Sequence, residues 1–468
     1  MHDHAARVHA PAPAIAPVVA TPTVAAAARA LPVMLLQSIV LKFGVVFLNA
    51  LTGIVTARTL NPTGRGELAA LVLWPVLLAG VTTFGLPSAL IYHMRRTPER
   101  TPALVGTALM MAVATGLVGT LVGWPLVPLW LHQHPASIAT AAQYCLLATV
   151  VTSISLAGRA AWEARGRFDL SNRSQLVAPV VILAALIPQA WMGVLTSRSA
   201  GATYVLAGVP VMVWILASLY RSCRPTWRGA ADAWRSLTHF GVRSYGVDLC
   251  GMLAVYVDQA LVVGLLNPAA MGVYVVALSL SRVINAVHAS VAMVIFPRTV
   301  GLDTLDLAAA IARSARLGAL VTGALGLGVV AVGPMLVRLV YGEAYTAAGH
   351  LLPLLVCEVV LAGIVWVLLQ GFMAAGRPGV ATLVQVGGLA LSLPIFLVLV
   401  PAFGPMGAAA ALLASTAARL VLALIGYRLC LDVATPRVWV GWSDLADLAS
   451  YRSALFNSFA RLRPGAAK

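Results

Sequence analysis

The chain of 468 residues is 60% hydrophobic and only 10% charged, with a mean hydropathy of +0.91, which excludes a soluble globular domain, where charged residues make up about 25%. Its net charge of +16 raises nucleic acid as a partner, but the lysines and arginines recur in short polar breaks between apolar runs, where lipid topology puts them. The composition therefore gives an all-α polytopic membrane protein with no nucleic-acid partner. Cys145, Cys223, Cys250, Cys357 and Cys430 are scattered and odd in number. They are expected to be core thiols, with no disulfide framework, no metal spacing and no cofactor.

Residues 1–30 are rich in alanine and proline, and the prolines interrupt any signal-peptide core. A disordered cytoplasmic tail is expected there, with His2, His4 and His9 solvated. Apolar runs of about 20 residues each span a bilayer core of ~30 Å. Twelve follow, near residues 33–57, 68–92, 103–130, 138–161, 174–195, 201–220, 238–265, 270–296, 308–332, 347–373, 379–400 and 405–428. With the N-terminus taken as cytoplasmic, the even-numbered breaks carry most of the arginines, among them Arg95, Arg96, Arg165, Arg167, Arg313 and Arg377. The odd breaks hold only Arg58, Arg65, Arg198 and Arg338, so both termini are expected in the cytoplasm.

Six spans per half give the two halves the same orientation, related by a pseudo-two-fold axis along the membrane normal. The expected layout is an N-terminal six-helix bundle over 31–221, a cytoplasmic linker over 222–236 and a C-terminal six-helix bundle over 237–430, around a central cleft. A cytoplasmic tail over 431–468 completes it. There, Leu445, Leu448, Leu455, Phe459 and Leu462 recur at helical spacing opposite Asp444, Asp447 and Arg461, the pattern of an amphipathic helix on the inner leaflet.

Two echoes support duplication. Leu60-Asn61-Pro62 followed by Gly66 returns as Leu266-Asn267-Pro268 followed by Gly272, and Ala164-x-Gly166-Arg167 returns as Ala374-x-Gly376-Arg377 at nearly the same offset. The first echo is expected to be a periplasmic turn repeated in both halves, and aligning on it sets Lys42 opposite Asp248.

Ala57-Arg58-x-Leu60-x-Pro62-x-x-x-Gly66, Phe84-Gly85-Leu86-Pro87-Ser88-Ala89, Tyr256-x-Asp258-x-x-Leu261-x-x-Gly264 and Tyr341-Gly342-Glu343-x-Tyr345-x-x-Ala348 resemble, in order and spacing, the polysaccharide (Wzx-type) flippases of the multidrug/oligosaccharidyl-lipid/polysaccharide exporter superfamily. The resemblance covers nearly the whole membrane region. It implies a V-shaped transporter of two six-helix bundles that moves undecaprenyl-diphosphate-linked sugar repeat units from the cytoplasmic to the periplasmic leaflet of a bacterial inner membrane. In related lipid flippases the central cavity is cationic, with basic residues on the first and eighth helices. Asn61 departs from the pattern, which has glycine more often at that position.

A charge in hydrocarbon costs at least ~2.5 kcal/mol on insertion scales, so each ionisable group within a span is a functional candidate. These are Lys42, Asp248, Asp258, Arg282, Glu358 and Arg419. Lys42 precedes Leu60 by about 27 Å of helix, which places it in the cytoplasmic third; Arg282 and Glu358 lie roughly 16 Å into their spans, near the midplane. Ser281, Arg282, Asn285 and His288 form a polar stripe on an apolar helix, as a cavity lining requires. Lys42 shares a face with Asn49, and Asp248 with Gln259. Arg282 aligns with Val76, so the symmetry breaks where a substrate's charge would sit.

A polyprenyl diphosphate needs cations at a water-lined site. Arg282 offers a bidentate fork and Lys42 a point charge nearer the entrance. Alternatively Lys42 snorkels to the headgroups, and Arg282 forms a structural pair with Glu358 or Asp258. Asp248 and Asp258 are candidates for closing a gate on these cations, and Glu358 for carrying a coupling proton or for hydrogen bonding within its bundle. The same superfamily contains multidrug and cation antiporters, whose substrates want carboxylates and aromatic faces. A membrane polysaccharide polymerase is a weaker alternative, because the periplasmic breaks offer only Glu67, His132, His134 and Glu343. The protein is therefore not expected to be an enzyme, and with no Gly-Lys-Ser/Thr phosphate loop present an ATP-driven pump is not expected either. Membrane lipid, the lipid-linked oligosaccharide, a polysaccharide polymerase and export proteins are the expected partners.

Overall fold

The computed structural model describes residues 24–285, 288, 303–439 and 441, with side chains from residue 41 onward apart from those of 42, 247, 248, 254 and 255. Among these, eight helical segments are long and apolar enough to cross a membrane. The first half consists of α1 (Val24–Val81), α2 (Leu86–Arg96), α3 (Thr101–Trp130), α4 (Ala136–Cys145), α5 (Ala148–Ala164), α6 (Phe168–Trp191) and α7 (Ser197–Cys223). The second consists of α8 (Ala230–Leu265), α9 (Pro268–Ser281), α10 (Thr304–Leu336), α11 (Thr346–Ala374) and α12 (Pro378–Cys430).

Two of these helices are pairs. Asn61 (φ 58°, ψ 175°) breaks α1 and Gly404 (φ 59°) breaks α12, so each supplies two spans. The second span continues through α2 after an interruption at residues 82–85, and the fourth is α4 followed by α5. Each of the twelve apolar runs thus contains helix. The chain is all-α and polytopic. Helix already begins at Val24, inside the stretch expected to be an unstructured tail, and α7 ends at Cys223 while α8 starts at Ala230, so the segment 222–236 is free of helix only over 224–229. The tail from 1 to 23, the amphipathic pattern from 443 to 462 and most of the eighth run after 285 lie outside the described residues.

Both echoes have a backbone cause. Gly166 (φ 73°) and Gly376 (φ 70°) are left-handed. Gly166 N–H donates to Glu163 O (3.0 Å) and Arg167 N–H to Trp162 O (2.9 Å); Gly376 N–H donates to Met373 O (3.1 Å) and Arg377 N–H to Phe372 O (2.9 Å). Each Ala-x-Gly-Arg is therefore the same glycine-terminated helix cap, closing α5 in one half and α11 in the other.

The Leu-Asn-Pro turns share their sequence but not their conformation. Asn267 is an N-cap whose side chain accepts from Ala270 N–H at 2.9 Å. Asn61 instead adopts a backbone geometry that is nearly exclusive to glycine, which explains why glycine is common at that position in the resembling pattern. The two turns meet face to face. Gly66 receives the carbonyl of Pro268 and Gly272 receives the carbonyl of Pro62, leaving no room for a Cβ at either glycine. The contact is reciprocal, as an axis between the halves demands.

This end of the bundle, the turn end, holds one core shared by both halves, including Trp74, Leu131, Tyr274, Tyr345 and Phe396. Arg58 donates to Val340 O (2.7 Å) and to Leu339 O, Tyr345 Oη donates to Ala57 O (3.0 Å), and Trp130 Nε1 donates to Ala260 O (2.7 Å). At the opposite, arginine-rich end the cores separate. One contains Leu90, Trp162, Ile215 and, from the start of α8, Leu237; the other contains Ile311, Leu368, Phe372 and Tyr427. The break at residues 82–85 is covered by α8, where Tyr245 Oη donates to Val81 O and Gly241 lies against Phe84 and Gly85. Irregular backbone at membrane depth is tolerated where protein buries it in this way.

Replacing Gly66 or Gly272 by alanine forces the two turns apart, at a cost of about 1–3 kcal/mol for overpacking against backbone. The purified variants should unfold at lower temperature in a detergent melt. Asn61→Gly should raise the melting temperature by relieving backbone strain of about 1–3 kcal/mol. Unchanged melting for both glycine variants would contradict the close approach.

Candidate functional site

The charges of the second half converge. α9 runs from the turn end to Arg282, about 15 Å beyond Gly272 at 1.5 Å per residue. Arg282 Nη2 donates to Asp258 Oδ2 of α8 at 3.2 Å, with the arginine side chain 31% exposed and the aspartate 8%. One guanidinium edge therefore remains open to the cavity, while Asp258 Oδ1 is buried without a hydrogen-bond partner. Across the site, Glu358 of α11 is buried and accepts from Thr416 Oγ1 of α12 at 2.9 Å. One turn on, Arg419 donates to Ser415 O (3.5 Å) and approaches Thr416 Oγ1 (3.4 Å). Gly388 gives Arg419 its room, since the aliphatic stem packs where a Cβ would stand.

These four ionisable groups line one cavity of about 450 Å³, together with Asn285, His288, Gln385 and Trp366, within the range of small-molecule sites of about 300–1,000 Å³. Two arginines face two carboxylates. Such a site is polar without a large net charge, and any anion entering it competes with Asp258 for Arg282. A second, open hollow of about 580 Å³ at the arginine-rich end is lined by Tyr92, Arg95 and Arg96. There, however, Arg95 donates to Glu163 O (3.1 Å) and Arg96 stacks on Tyr92.

Of the residues expected at a site, the fold brings together Arg282, Asp258, Glu358, Asn285 and His288. Asn49 is exposed and Gln259 half-buried, and neither is among the residues lining the cavity. The side chains of Lys42 and Asp248 lie outside the described residues, so the gate pair does too. Arg419 was visible as a membrane charge but had no assigned role. Thr416, Gln385 and Trp366 gave no signal alone; the grouping of Ser415, Thr416 and Arg419 on adjacent turns was the available clue. Among the described residues, no group of three or more His, Cys, Asp or Glu is placed to hold a metal ion.

The two loop carboxylates at the turn end have structural partners. Glu67 accepts from Ser197 Oγ (2.5 Å) and Glu343 pairs with Arg338 (2.6 Å). His134 is 8% exposed with neither ring nitrogen hydrogen-bonded. Burial, and to a lesser degree the neighbouring His132, lower its pKa to about 4.

The family model described as "Polysaccharide biosynthesis protein" matches residues 55–349. No curated protein matches by sequence. Among solved structures, the lipid II flippase MurJ in an inward closed conformation is similar with TM-score 0.70 and 10% identity, covering 92% of this chain and 94% of that one. An inward-facing multidrug resistance MATE family transporter of the MOP superfamily has TM-score 0.62 and 13% identity, covering 82% and 94%. A MOP superfamily transporter from Pyrococcus furiosus, whose binding pocket of reverse polarity is reported to suggest a different function, has TM-score 0.55 and 13% identity, covering 84% and 92%. At these identities the likeness is one of fold.

Two outcomes follow from the local chemistry. Arg282→Ala leaves Asp258 buried without its cation and Asp258→Asn removes the pair's anion, so each should lower thermal stability. The double variant should lose less than the sum of the two by about 1–3 kcal/mol, the coupling expected of groups in direct contact; strict additivity would mean the pair is not formed. Because His134 titrates near 4 in the folded chain and near 6.5 unfolded, the unfolded state binds the extra proton between those values. Stability should therefore be full above about pH 6.5 and fall as the pH drops toward 4, a slope that His134→Gln should reduce in pH-dependent melts.

Proposed function

Because the chain belongs to the polysaccharide biosynthesis protein family, we propose that it is a lipid-linked oligosaccharide flippase, moving undecaprenyl-diphosphate-linked repeat units from the cytoplasmic to the periplasmic leaflet by alternating access. The observation that carries this is the cavity holding Arg282 and Arg419 with Asp258 and Glu358, set within a bundle whose turn end is sealed. With the arginine-rich breaks facing the cytoplasm, the seal is periplasmic and the cavity lies on its cytoplasmic side. A fold shared with a lipid II flippase suits a substrate with a diphosphate head.

In this mechanism the diphosphate takes the open edge of the Arg282 fork and displaces Asp258, while Lys42 guides the anion from the cytoplasmic side. The polyprenyl tail stays in the bilayer, and the sugars occupy the water-filled part of the cleft. Asp258 released from Arg282, and Glu358 at the same depth, are the groups that take up a coupling proton or cation. Arg58, Tyr345 and the glycine turns must then part to expose the substrate to the periplasm. A polymerase and export proteins are the partners that would use the delivered units.

The multidrug or cation antiporter remains the second reading, favoured by the two carboxylates and Trp366 in the same cavity. The two arginines oppose it, because each cancels a carboxylate that an organic cation would need.

Arg282→Ala, inserted normally, should lower export of polysaccharide by about tenfold or more, the cost of losing a charge-assisted contact to phosphate. Lipid-linked repeat units should accumulate on the cytoplasmic leaflet. Full export by this variant would remove the binding role, and loss of resistance to organic cations in a deletion strain, with export intact, would favour the antiporter.

A further inference from the structure

The cavity changes character along its length. At its inner end stand Asp258, Arg282, Glu358 and Arg419; toward the arginine-rich end the lining becomes Asn285, His288 and the face of α11 that carries Trp366. Trp366 follows Glu358 by eight residues and precedes Ala374 by eight, so it sits about 12 Å of helix from each. It is therefore deeper than the headgroup level at which interfacial tryptophans collect. Its side chain is nonetheless 48% exposed and borders the cavity. The lining beside it is polar. The ring of His288 packs on Gly363 of α11 with its Nε2 buried against that helix, while Asn285 is exposed to the cavity.

An aromatic face beside an exposed amide matches the chemistry of a sugar ring, which offers an apolar C–H face and hydroxyls at its edge. It matches neither a lipid tail, which needs no hydrogen bonds, nor a second phosphate, which needs cations. We propose that this part of the cavity is a saccharide subsite, with the Trp366 indole as the platform for the sugar attached to the diphosphate and the Asn285 amide as its polar partner. The proposal rests on the diphosphate reading of Arg282. It adds that the protein distinguishes a glycosylated from a bare polyprenyl diphosphate by contacts within the second half alone.

The test uses the full chain in lipid nanodiscs and two probes, undecaprenyl diphosphate and undecaprenyl diphosphate carrying one hexose. The wild type should bind the hexose-bearing lipid about tenfold more tightly, the increment expected of one aromatic stack with its hydrogen bonds. Trp366→Ala should bring the two affinities within about twofold while leaving that for the bare lipid unchanged, and Trp366→Phe should keep most of the preference. A preference that survives Trp366→Ala, or equal affinities in the wild type, overturns the subsite but leaves the diphosphate site standing. Failure of both lipids to bind overturns both.

Discussion

Two backbone carbonyls pressed against two glycines set the geometry on which the rest of the protein depends. The contact of Pro62 with Gly272, and of Pro268 with Gly66, brings the first and second spans against the eighth at one end of the bundle. No side chain can be added there without parting the halves. The same approach lets Arg58 reach the carbonyls at 339 and 340 and Tyr345 reach Ala57. One shared core follows at that end and two separate cores at the other, which is the shape of a cleft closed on one side.

The distance from that contact to the site is fixed by helix geometry. From Gly272, α9 descends about 15 Å to Arg282, half of a hydrocarbon core of ~30 Å. A guanidinium at that depth cannot stand alone, and Asp258 answers it. Glu358 and Arg419 supply a second opposed pair of charges around Thr416. The result is a site that is nearly neutral when empty and has one guanidinium edge available. An anion at that open edge would share Arg282 with Asp258 and loosen the pair, which would link occupancy to the freedom of that carboxylate. The device belongs to one half only: the position in the first half that corresponds to Arg282 is Val76. The halves thus share their turns and caps but not their chemistry.

Much of the fold was legible because lipid punishes exceptions. Apolar run length and arginine distribution gave twelve spans, and each contains helix. The echoes were legible because particular backbone geometries require particular residues, as at Gly166 and Gly376. Charges in hydrocarbon drew attention to Arg282, Asp258 and Glu358, which the fold gathers. The sequence did not say toward which neighbour a polar face turns, and Asn49 and Gln259 are not among the residues lining the cavity around Arg282. Nor could it pair Thr416 with Glu358 or bring Gln385 and Trp366 to the same wall, since those contacts depend on how α11 packs against α12. The interruption at residues 82–85 was hidden for the same reason. A hydroxyl from Tyr245, far away in sequence, covers it.

The central claim is that the cavity around Arg282 receives a lipid diphosphate. The most direct measurement is mass spectrometry of the lipids that remain bound to the chain when it is purified gently from its native membrane, for the wild type and for Arg282→Ala. The account predicts a polyprenyl diphosphate bearing saccharide in the wild type and its loss from the variant. Phospholipid alone in both, or the same glycolipid retained equally by both, would contradict it.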